Sequence, residues 1–524
     1  MILEYELKPL PFGTSGRRGL VVHLTQLEIY TNVTAELAFL QLLAPDQGGI
    51  RKGDPFYVAY DLRPSSTAFA PEYGGRGEIC QAVIRAVEDS GMRAVNLGPV
   101  PTPALSAYAF SRGKGSIMVT GSHIPFDRNG YKLNTSRGEL MKEHEAPVQK
   151  LVDESRPRVL GSGLFNSRGM LAEGHQELPS VDPAGRAYYL DRYRDFFEPG
   201  FLKGKRIAIY QHSAIGRDML AELLAGFGAE VVPVGRSEEF VPIDTEAIGA
   251  DLLAQLQAFK DAAGDVDALV STDGDSDRPL VCGVEAGGKL RFHGGDLVGM
   301  VVAEWLGADA IVVPVSCNDA IARGPLSRFL EPQTRIGSPF VIQGMDQALR
   351  KGRRRVCGWE ANGGFLTGSP IERSGRTLAP LPTRDAMLPV LAVLAASVEE
   401  QVPVTELFAR LPRRFSSADR LQDFPRASSG RIMEHFQSVK TELEAVFQAG
   451  LGFGPVQTID FTDGVRIRFG NGDVAHFRPS GNADEFRIYA VADTEERAEE
   501  IRALAMGGAG LLRQLEAAVK APSK

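Results

Sequence analysis

The stretch Lys205–Val234, KRIAIYQHSAIGRDMLAELLAGFGAEVVPV, decides the fold class of this chain. Its apolar start, Lys205–Gln211, predicts a strand, Asp218–Phe227 predicts a helix, and Glu230–Val234 predicts the next strand. Similar apolar runs predict further strands at Asp267–Ser271, Ala310–Val315 and Arg355–Gly358. Strands that alternate with helices are typical of a mostly parallel sheet covered on both faces, so we predict an α/β fold.

The C-terminal part of the chain follows a different pattern. Two alternating runs, Gly464–Phe469 and Asp473–Arg478, flank a Gly-Asn-Gly turn and predict an antiparallel hairpin. Phe486–Val491 adds another strand, and Asp493 with Glu496 resembles a capping box at the start of a terminal helix. We therefore predict a separate α+β module at this end.

The length predicts several domains. At roughly 100–200 residues per domain, 524 residues correspond to about three to five domains. Two segments rich in Gly, Ser, Pro and Arg, 157–182 and 412–429, are the best linker candidates. Boundaries near 184, 307 and 415 divide the chain into domains 1–184, 185–307, 308–415 and 416–524.

The composition is that of a globular protein, with 24% charged and 43% hydrophobic residues. The net charge of −8, from 58 Lys+Arg and 66 Asp+Glu, argues against a nucleic-acid partner. The start lacks a basic region followed by an apolar core, and the apolar run Ala386–Ala396 is interrupted by Pro389 and shorter than the roughly 18 residues of a membrane span. We expect a cytoplasmic protein without a membrane partner, whose buried thiols, with no CxxC spacing, are Cys80, Cys282, Cys317 and Cys357.

A serine motif, Thr120–Pro125 (TGSHIP), follows the apolar run Ile117–Val119. Gly121 lets the strand end turn sharply, which predicts that the Ser122 hydroxyl is exposed beside backbone N–H groups. Such a serine can attack or carry a phosphoryl group, and the neighbouring His123 can assist it. The alternative interpretation is an ordinary strand-to-loop turn with a satisfied hydroxyl.

An aspartate motif, DGDSDR at 273–278, directly follows the predicted strand Ala268–Ser271. Asp273, Asp275 and Asp277 repel one another unless a cation gathers them, and all-oxygen ligation suits Mg²⁺ or Mn²⁺. An EF-hand loop would need Gly at position 278 and Glu at position 284, but the residues there are Arg278 and Val284. We favour a metal site over a surface acidic turn, because α/β sites lie at strand carboxyl ends.

Three further motifs are individually weaker. Arg478, Ser480, Gly481 and Asn482, with Arg487 nearby, can surround a phosphate, although a basic hairpin loop without a ligand is equally consistent. The loop WEANGG at 359–364 presents a carboxylate and an amide that can bind sugar hydroxyls, and an ordinary turn is its alternative. The N-terminal loop GTSGRRG at 13–19 is basic and Gly-rich but lacks the P-loop spacing. Together the five motifs indicate phosphoryl transfer on a phosphorylated polyol.

These five motifs, in this order, resemble the loops of the α-D-phosphohexomutases, which include phosphoglucomutases, phosphomannomutases and phosphoglucosamine mutases. TGSHIP is similar to the family's phosphoserine loop, DGDSDR to its metal loop, WEANGG to its sugar loop, RPSGN to its phosphate loop and GTSGRRG to its N-terminal loop. The resemblance spans roughly residues 10–490. It implies three related α/β domains with mixed sheets and a C-terminal TBP-like α+β domain around a central cleft.

The resemblance also implies roles for the site residues. Ser122 carries the phosphoryl group, and Asp273, Asp275 and Asp277 bind one Mg²⁺ per chain beside it. Proton transfer falls to Lys132, in the segment Asn129–Lys132, or to Arg18, with His123 next to the serine. Substrate binding is implied for Arg278, Glu360, Asn362, Arg478, Ser480, Gly481, Asn482 and Arg487. Three positions depart from the family pattern: Gly364 where some members have histidine, Asn482 for Thr, and Ile124 for Asn.

The activity that the resemblance implies is interconversion of mannose 1-phosphate and mannose 6-phosphate, a small hexose phosphate substrate. It proceeds through a phosphoserine enzyme and a sugar 1,6-bisphosphate, which also acts as activator, in a monomer or homodimer. A phosphoglucomutase or a dual-specificity enzyme is the first alternative. A metal-dependent sugar phosphatase is more remote, because Asp277 replaces the Thr or Val that a haloacid-dehalogenase nucleophile motif needs after Asp273 and Asp275. A catalytically inactive sugar-phosphate binding protein is disfavoured by the intact serine and aspartates.

Overall fold

The computed structural model describes residues 2–13, 16–246, 248–421, 424–438, 453–479, 485–506, 511–513 and 516. Four main sheets follow one another along the chain, and helices cover them. This mixed α/β architecture agrees with the predicted fold class, whereas the domain boundaries remain predictions. Within the described ranges, each helix is too short or too polar to cross a membrane.

The first sheet has the order β1-β7-β6-β2-β5, with β2, β5 and β6 parallel and β7 antiparallel to both β6 and β1. A small ribbon, β3 and β4, lies outside it. The strands are β1 Arg17–Leu20, β2 Pro55–Tyr60, β3 Phe69–Ala70, β4 Arg76–Gly77, β5 Arg93–Pro99, β6 Ser116–Val119 and β7 Arg128–Asn134. The helices are α1 Gln26–Leu42, α2 Pro64–Thr67, α3 Ile79–Asp89, α4 Thr102–Ser111 and α5 Glu145–Leu160.

The second sheet has the order β12-β11-β10-β8-β9 and repeats the central pattern of the first, with parallel β8, β9 and β10 and antiparallel β11. Its strands are β8 Arg206–His212, β9 Glu230–Arg236, β10 Ala268–Thr272, β11 Pro279–Val284 and β12 Leu290–His293. The helices of this region are α6 Ala184–Phe196, α7 Arg217–Gly226, α8 Ala250–Ala263 and α9 Gly295–Trp305. The strand–helix–strand unit predicted from Lys205–Val234 is therefore confirmed as β8, α7 and β9.

The third sheet, β13-β14-β15-β18, has one parallel pair followed by two antiparallel pairs. Its strands and the nearby ribbon are β13 Ala310–Val312, β14 Val356–Trp359, β15 Phe365–Thr367, β16 Ile371–Arg373, β17 Arg376–Leu378 and β18 Leu381–Asp385. The helices are α10 Ser338–Arg350, α11 Met387–Glu400 and α12 Val404–Ala409. Strand β13 is shorter than predicted, because Pro314, which has no N–H to donate, follows it closely.

The fourth sheet is antiparallel throughout, in the order β19-β23-β22-β21-β20, and includes the predicted hairpin as β21 and β22. Its strands are β19 Phe415–Leu421, β20 Val456–Asp460, β21 Val465–Phe469, β22 Val474–Pro479 and β23 Phe486–Ala492. The helices are α13 Arg426–Ser438 and α14 Glu495–Met506.

Two local predictions are wrong. Segment 412–429 is no linker, because it contains β19 and the start of α13. Segment 157–182 does connect α5 to α6 without a helix or strand after Leu160, although its Phe165 and Leu171 pack into the apolar cluster of α1 and the first sheet. The residue that caps α14 is Thr494, whose Oγ1 accepts from Arg497 N at 3.1 Å. The Asp493 carboxylate, which was predicted to cap this helix, instead forms an ion pair with Arg414 at 2.6 Å.

The apolar core explains how the four sheets are joined. One continuous cluster includes Tyr57, Ile209, Ile311 and Leu391, which belong to the first three sheets and their helices. The fourth sheet has its own cluster, which includes Phe477 and Ile488. Its junction with the third region is largely polar. Arg414, 1% exposed, donates to Asp319 Oδ1 at 2.6 Å and to Asp493 at the same distance.

Candidate active site

Three of the five predicted motifs occupy equivalent positions in the three related sheets. The serine loop joins β6 to β7, the aspartate loop joins β10 to β11, and the Glu360 loop joins β14 to β15. In each case the loop follows a strand of the parallel part and precedes its antiparallel neighbour. Equivalent loops of neighbouring units meet in one place, which explains how residues far apart in sequence form one site.

The serine and aspartate loops are in direct contact. Ser122 Oγ donates to Asp273 Oδ2 at 3.0 Å, and both side chains are fully buried. The predicted exposure of the Ser122 hydroxyl is therefore wrong. The aspartate loop covers the serine so closely that a Cβ on Gly274 would lie 2.8 Å from the Ser122 carbonyl oxygen.

The serine loop has a left-handed residue at its centre. Ser122 has φ of +55°, a conformation that non-glycine residues adopt rarely and mostly at functional or turn positions. Arg63 holds the loop by donating to the carbonyl oxygens of Ser122 at 2.9 Å and Pro125 at 2.8 Å. Glycine is favoured at position 121, because a Cβ added there would lie 2.7 Å from the guanidinium carbon of Arg63.

Sequence reasoning missed Arg63 and its partner Asp61. Asp61 Oδ2 lies 3.3 Å from Arg63 Nε and accepts from Thr120 Oγ1 at 2.7 Å. The signal was present, because Asp61 and Arg63 directly follow strand β2 at its carboxyl end, where the same rule selected the aspartate loop.

The aspartate loop brings its three carboxylates together. One oxygen each of Asp273, Asp275 and Asp277 lie within 4.8 Å of one another, and all three side chains are buried. Asp273 Oδ1 accepts from the backbone N–H groups of Asp277 at 3.1 Å and Arg278 at 3.2 Å. Among the described residues, Asp275 Oδ1 and Asp277 Oδ1 have no hydrogen-bond partner. Two buried carboxylate oxygens without hydrogen bonds fit a divalent cation of the Mg²⁺ type.

The electrostatics of the three carboxylates are also those of a cation site. Burial and the neighbouring Asp275 and Asp277 raise the pKa of Asp273 well above its usual value. Burial also opposes charge on Asp275, but Lys132 and Thr102 overcome it and lower the pKa of Asp275. Asp273 is thus a carboxylate whose negative charge the surrounding protein groups do not stabilise, and a bound cation would stabilise it.

Lys132, on β7, links two of the aspartates. Its Nζ donates to Asp275 Oδ2 and to Asp277 Oδ2, each at 2.6 Å, and the lysine is 5% exposed. Thr102 Oγ1 donates to the same oxygen of Asp275 at 2.6 Å. These contacts hold the Oδ2 atoms in place while the Oδ1 atoms stay unbonded.

The predicted basic residues Arg18 and Arg278 lie around this centre. Arg278 Nε is 3.6 Å from Asp277 Oδ1 and 3.9 Å from Asp273 Oδ2. Burial lowers the pKa of Arg18 to about 10. Burial, together with Arg278, Arg18 and other arginines, also lowers the pKa of His123 well below its usual value, so the ring is neutral. Its Nδ1 lies 3.4 Å from Ser122 Oγ.

The Glu360 loop is connected to the aspartate loop by Arg384, a residue that sequence reasoning missed. Arg384, on β18, donates from one nitrogen to Glu360 Oε2 at 3.0 Å and from Nε to Asp277 Oδ2 at 3.1 Å. In the same loop, Asn362 Oδ1 accepts from Gly364 N at 3.0 Å, so this amide oxygen stabilises the turn itself. A single arginine inside a short strand forms no motif, which is why the sequence did not reveal it.

The predicted phosphate clamp on the fourth sheet is only partly described. Arg478 and Arg487 are direct cross-strand neighbours, and Arg420 stands opposite Arg487 on the other side. Three guanidinium groups at one register repel one another unless anions lie near them. Ser480, Gly481 and Asn482 lie outside the described residues.

The anions near these arginines include protein carboxylates. Arg478 Nε is 3.1 Å from Asp463 Oδ2, and Arg487 is 3.4 Å from Glu485. Arg487 also lies 3.8 Å from Glu246, which belongs to the second region, so the arginine faces the side of the sheet where the other loops meet.

The comparisons with known proteins agree with this arrangement. Residues 9–158 match the family model of phosphoglucomutase/phosphomannomutase alpha/beta/alpha domain I, and residues 294–415 match that of domain III. A phosphomannomutase of Sinorhizobium fredii is 38% identical over 495 residues, covering 94% of this chain and 97% of the relative. The chain belongs to the phosphoglucomutase/phosphomannomutase family.

Two further relatives extend the comparison. A phosphomannomutase of Salmonella muenchen is 39% identical over 495 residues, with 93% of each chain covered. A crystal structure of a phosphoglucomutase/phosphomannomutase family protein from Burkholderia thailandensis has a TM-score of 0.63 and 18% identity, with 98% of each chain covered, and shares the fold. As a member of the phosphoglucomutase/phosphomannomutase family, the chain is an isomerase that transfers phosphoryl groups.

Proposed function

We propose that this enzyme interconverts mannose 1-phosphate and mannose 6-phosphate through a phosphoserine at Ser122. The observation that carries the proposal is the 3.0 Å contact between Ser122 Oγ and Asp273 Oδ2, made between loops of two different sheets. A buried serine beside three buried aspartates suits a phosphoryl carrier next to a metal site. The choice of mannose follows from the two relatives named phosphomannomutase, at 38% and 39% identity.

The residues that would hold one Mg²⁺ per chain are Asp273, Asp275 and Asp277, together with an oxygen of the Ser122 phosphate. The unbonded Oδ1 atoms of Asp275 and Asp277 fit this ligand set, since they need a partner in a buried place. When bound, Mg²⁺ neutralises negative charge on the transferring phosphoryl group. The cationic side chains Lys132, Arg278 and Arg384 add positive charge around the same point.

The chain's own residues perform the transfer in two steps. In the first, the free hydroxyl oxygen of mannose 1- or 6-phosphate forms a bond to the phosphorus on Ser122, and the bond from phosphorus to Ser122 Oγ breaks. Lys132 or Arg18 gives a proton to the departing Ser122 Oγ and takes the sugar hydroxyl proton in exchange, so the serine leaves as a free hydroxyl. In the second step, the 1,6-bisphosphate has reoriented and Ser122 Oγ bonds to the phosphorus of its other phosphate. The bond from that phosphorus to the sugar oxygen breaks, and the serine proton is exchanged for one on the released sugar oxygen in the same way. Positioning and electrostatics supply most of the rate.

The non-reacting phosphate requires a clamp that serves both orientations of the sugar. We assign this role to Arg478 and Arg487, together with Ser480, Gly481 and Asn482. The cross-strand pairing of the two arginines supports the assignment, because a bound phosphate relieves their mutual repulsion. Glu360 and Asn362 are assigned to the sugar hydroxyls. A cytoplasmic location and a monomeric or homodimeric state belong to the same proposal.

Glucose phosphates are the first alternative substrate, and a sugar phosphatase with Asp273 as nucleophile is the second. The hydrogen bonds of Asp273 argue against the phosphatase. Its Oδ1 accepts from two backbone N–H groups, and its Oδ2 is turned toward Ser122 Oγ at 3.0 Å, which suits a contact to a phosphoserine better than attack on a substrate phosphate.

The decisive experiment measures initial rates on mannose 1-phosphate, glucose 1-phosphate and glucosamine 1-phosphate, each with a catalytic amount of its 1,6-bisphosphate. We expect conversion to the 6-phosphate, fastest for mannose, without release of inorganic phosphate. Faster turnover of glucose 1-phosphate would replace mannose by glucose in the proposal. Release of inorganic phosphate in step with loss of substrate would overturn the mutase assignment.

A further inference from the structure

One guanidinium connects the metal-binding and sugar-binding parts of the proposed site. Arg384 is 4% exposed and lies on β18, next to the last residue of the strand. One of its nitrogens donates to Glu360 Oε2 at 3.0 Å, while its Nε and another nitrogen lie 3.1 and 3.0 Å from Asp277 Oδ2. Because both carboxylates are buried, this bridge sets the distance and the relative orientation of two loops from different sheets.

The path of the Arg384 side chain depends on the absence of a side chain at position 364. A Cβ added to Gly364 would lie 2.6 Å from Arg384 Cδ and 2.7 Å from Cγ. Atoms in real structures do not approach so closely, so any other residue at 364 forces the arginine stem away. Gly364 and Arg384 therefore form a matched pair, in which the glycine admits the arginine to the site.

The backbone of Arg384 is also fixed from its other side. The next residue, Asp385, is buried and accepts hydrogen bonds from Tyr189 Oη at 2.5 Å, from Tyr193 Oη, and from Met387 N at 3.0 Å. Two tyrosines of α6 and the first turn of α11 thus hold the end of β18. An arginine on so rigid a support can act as a spacer of defined length.

We propose that Arg384 is a positioning residue that couples the metal ligand Asp277 to the sugar-binding residue Glu360. This inference rests on the proposed function, because it takes Asp277 as a metal ligand and Glu360 as a contact to the sugar. A metal ion that fixes Asp277 also fixes Glu360 through Arg384, and a sugar phosphate that fixes Glu360 also fixes Asp277. Binding of either ligand therefore strengthens binding of the other, and removal of the guanidinium abolishes this coupling.

A purely structural salt bridge would behave differently. It would change the stability of the fold without changing how strongly Mn²⁺ and a sugar phosphate affect each other's binding. Reciprocal coupling between two sites is measured by comparing the affinity for each ligand with and without the other. Mn²⁺ replaces Mg²⁺ in this measurement because its free concentration can be read by electron paramagnetic resonance.

The test uses the full-length, dephosphorylated protein as wild type and as Arg384→Gln, Arg384→Lys and Gly364→Ala. Arg376→Gln is the control, because Arg376 lies on β17 of the same region and pairs on the surface with Glu198 at 3.2 Å. Mn²⁺ affinity is measured with and without mannose 1-phosphate, and the affinity for the sugar phosphate is measured by calorimetry with and without Mn²⁺. Far-ultraviolet circular dichroism confirms that each variant is folded.

We expect mannose 1-phosphate to tighten Mn²⁺ binding in the wild type and in Arg376→Gln. In Arg384→Gln this enhancement should fall at least about fivefold, and KM for the sugar phosphate should rise at least about tenfold, as for loss of one charge-assisted hydrogen bond. Gly364→Ala should give the same result by displacing the arginine, and Arg384→Lys should lie between Arg384→Gln and the wild type, because it keeps the charge but loses the bridging geometry.

An enhancement unchanged within twofold in both Arg384→Gln and Gly364→Ala would overturn the inference, and so would the absence of any enhancement in the wild type. If Arg384→Gln does not fold, Gly364→Ala and Arg384→Lys decide the question. Failure of the proposed function looks different: the wild type would then isomerise no hexose phosphate, whereas a failed coupling test leaves wild-type isomerisation intact.

Discussion

Ser122 Oγ lies 3.0 Å from Asp273 Oδ2, although the two residues are 151 positions apart in the chain. The contact joins the loop after β6 to the loop after β10, which are equivalent positions in two related sheets. Formation of the site therefore requires that the first two sheets are docked, since neither sheet contains both groups. The shared apolar core of the first three sheets provides that docking.

The variant Ser122→Ala should abolish mutase turnover, with a loss of at least about a thousandfold, because it removes the proposed phosphoryl carrier. Intact-mass analysis of freshly purified wild type should show a fraction that is heavier by one phosphoryl group, and the alanine variant should lack it. Ser111→Ala, at the end of α4, is the control. Wild-type turnover by Ser122→Ala would contradict the mechanism.

The variant Asp275→Asn should lower turnover by about a hundredfold or more and weaken Mn²⁺ binding, because it removes charge at a proposed metal ligand with little change of shape. Mn²⁺ titration followed by electron paramagnetic resonance measures the affinity, and EDTA treatment of the wild type followed by Mg²⁺ addition measures the dependence. Asp265→Asn, on the exposed surface, is the control. Full activity after exhaustive EDTA treatment would rule out the metal assignment.

The variant Arg487→Ala should lower kcat/KM by about 10- to 150-fold for mannose 1-phosphate and mannose 6-phosphate alike. A charge-assisted hydrogen bond to phosphate contributes about 1.5–3 kcal/mol, and both orientations of the sugar use the same clamp. Mn²⁺ affinity should not change. Arg502→Ala, a surface residue of α14, is the control. A loss below about twofold in both directions would mean that the phosphate clamp lies elsewhere.

The variant Arg414→Ala should weaken the junction of the fourth sheet by about 3–5 kcal/mol. The reason is that it leaves the buried Asp319 carboxylate without the arginine that donates to it at 2.6 Å. Differential scanning calorimetry should show an early transition for the C-terminal region, separated from the rest. Arg410→Ala breaks an exposed pair with Glu400 and should cost less than about 1 kcal/mol. A single unshifted transition in Arg414→Ala would argue against a polar junction.

Stability should fall as the pH drops below about 6.5, in part because of His293. Burial, with a smaller contribution from Arg291, lowers the pKa of His293 to about 3. Its ring stacks on Phe408 with centroids 3.7 Å apart. The unfolded chain binds this proton near pH 6.5 and the folded chain does not. The stabilising contribution is thus complete above pH 6.5 and decreases by up to about 1.4 kcal/mol per pH unit below it.

The matching measurement is the free energy of unfolding in urea at several pH values between 7 and 4. The variant His293→Leu should show a shallower dependence on pH, because it removes one of the groups that must bind a proton. Substitution of the exposed His175, whose pKa is raised by Glu78, should not reduce the acid dependence. An identical slope in wild type and His293→Leu would contradict the prediction.

Much of the fold follows from local patterns in the sequence. The apolar runs and the helix of Lys205–Val234 predict β8, α7 and β9, and the Gly-Asn-Gly turn predicts the β21–β22 hairpin, because burial on both faces and tight turns leave clear signals. Strand β19 was mistaken for part of a linker. Its residues Phe415–Leu421 include Ser, Asp and Arg, because this edge strand has polar partners on both faces: Ser416 accepts from Asn318 of the third region, and Asp419 accepts from Arg502 of α14.

The candidate site is predictable only where its residues form a continuous motif. The serine and aspartate loops do so, and the structure brings Ser122 into contact with Asp273 and Lys132 into contact with Asp275. Arg63 and Arg384 were missed because their importance lies in contacts across the fold, to carbonyl groups of the serine loop and to carboxylates of two other loops. The sequence also placed the Ser122 hydroxyl at the surface, since the covering aspartate loop comes from another sheet.

The backbone angle of Ser122 also explains which alcohol can occupy this position. Threonine offers the same hydroxyl chemistry as serine. At φ of +55°, however, the branched Cβ of threonine crowds its own main chain, whereas serine carries a single heavy atom there. The backbone conformation of the turn therefore favours serine over threonine. A threonine at position 122 would supply the same hydroxyl group, but it would strain the left-handed backbone that places this hydroxyl beside Asp273.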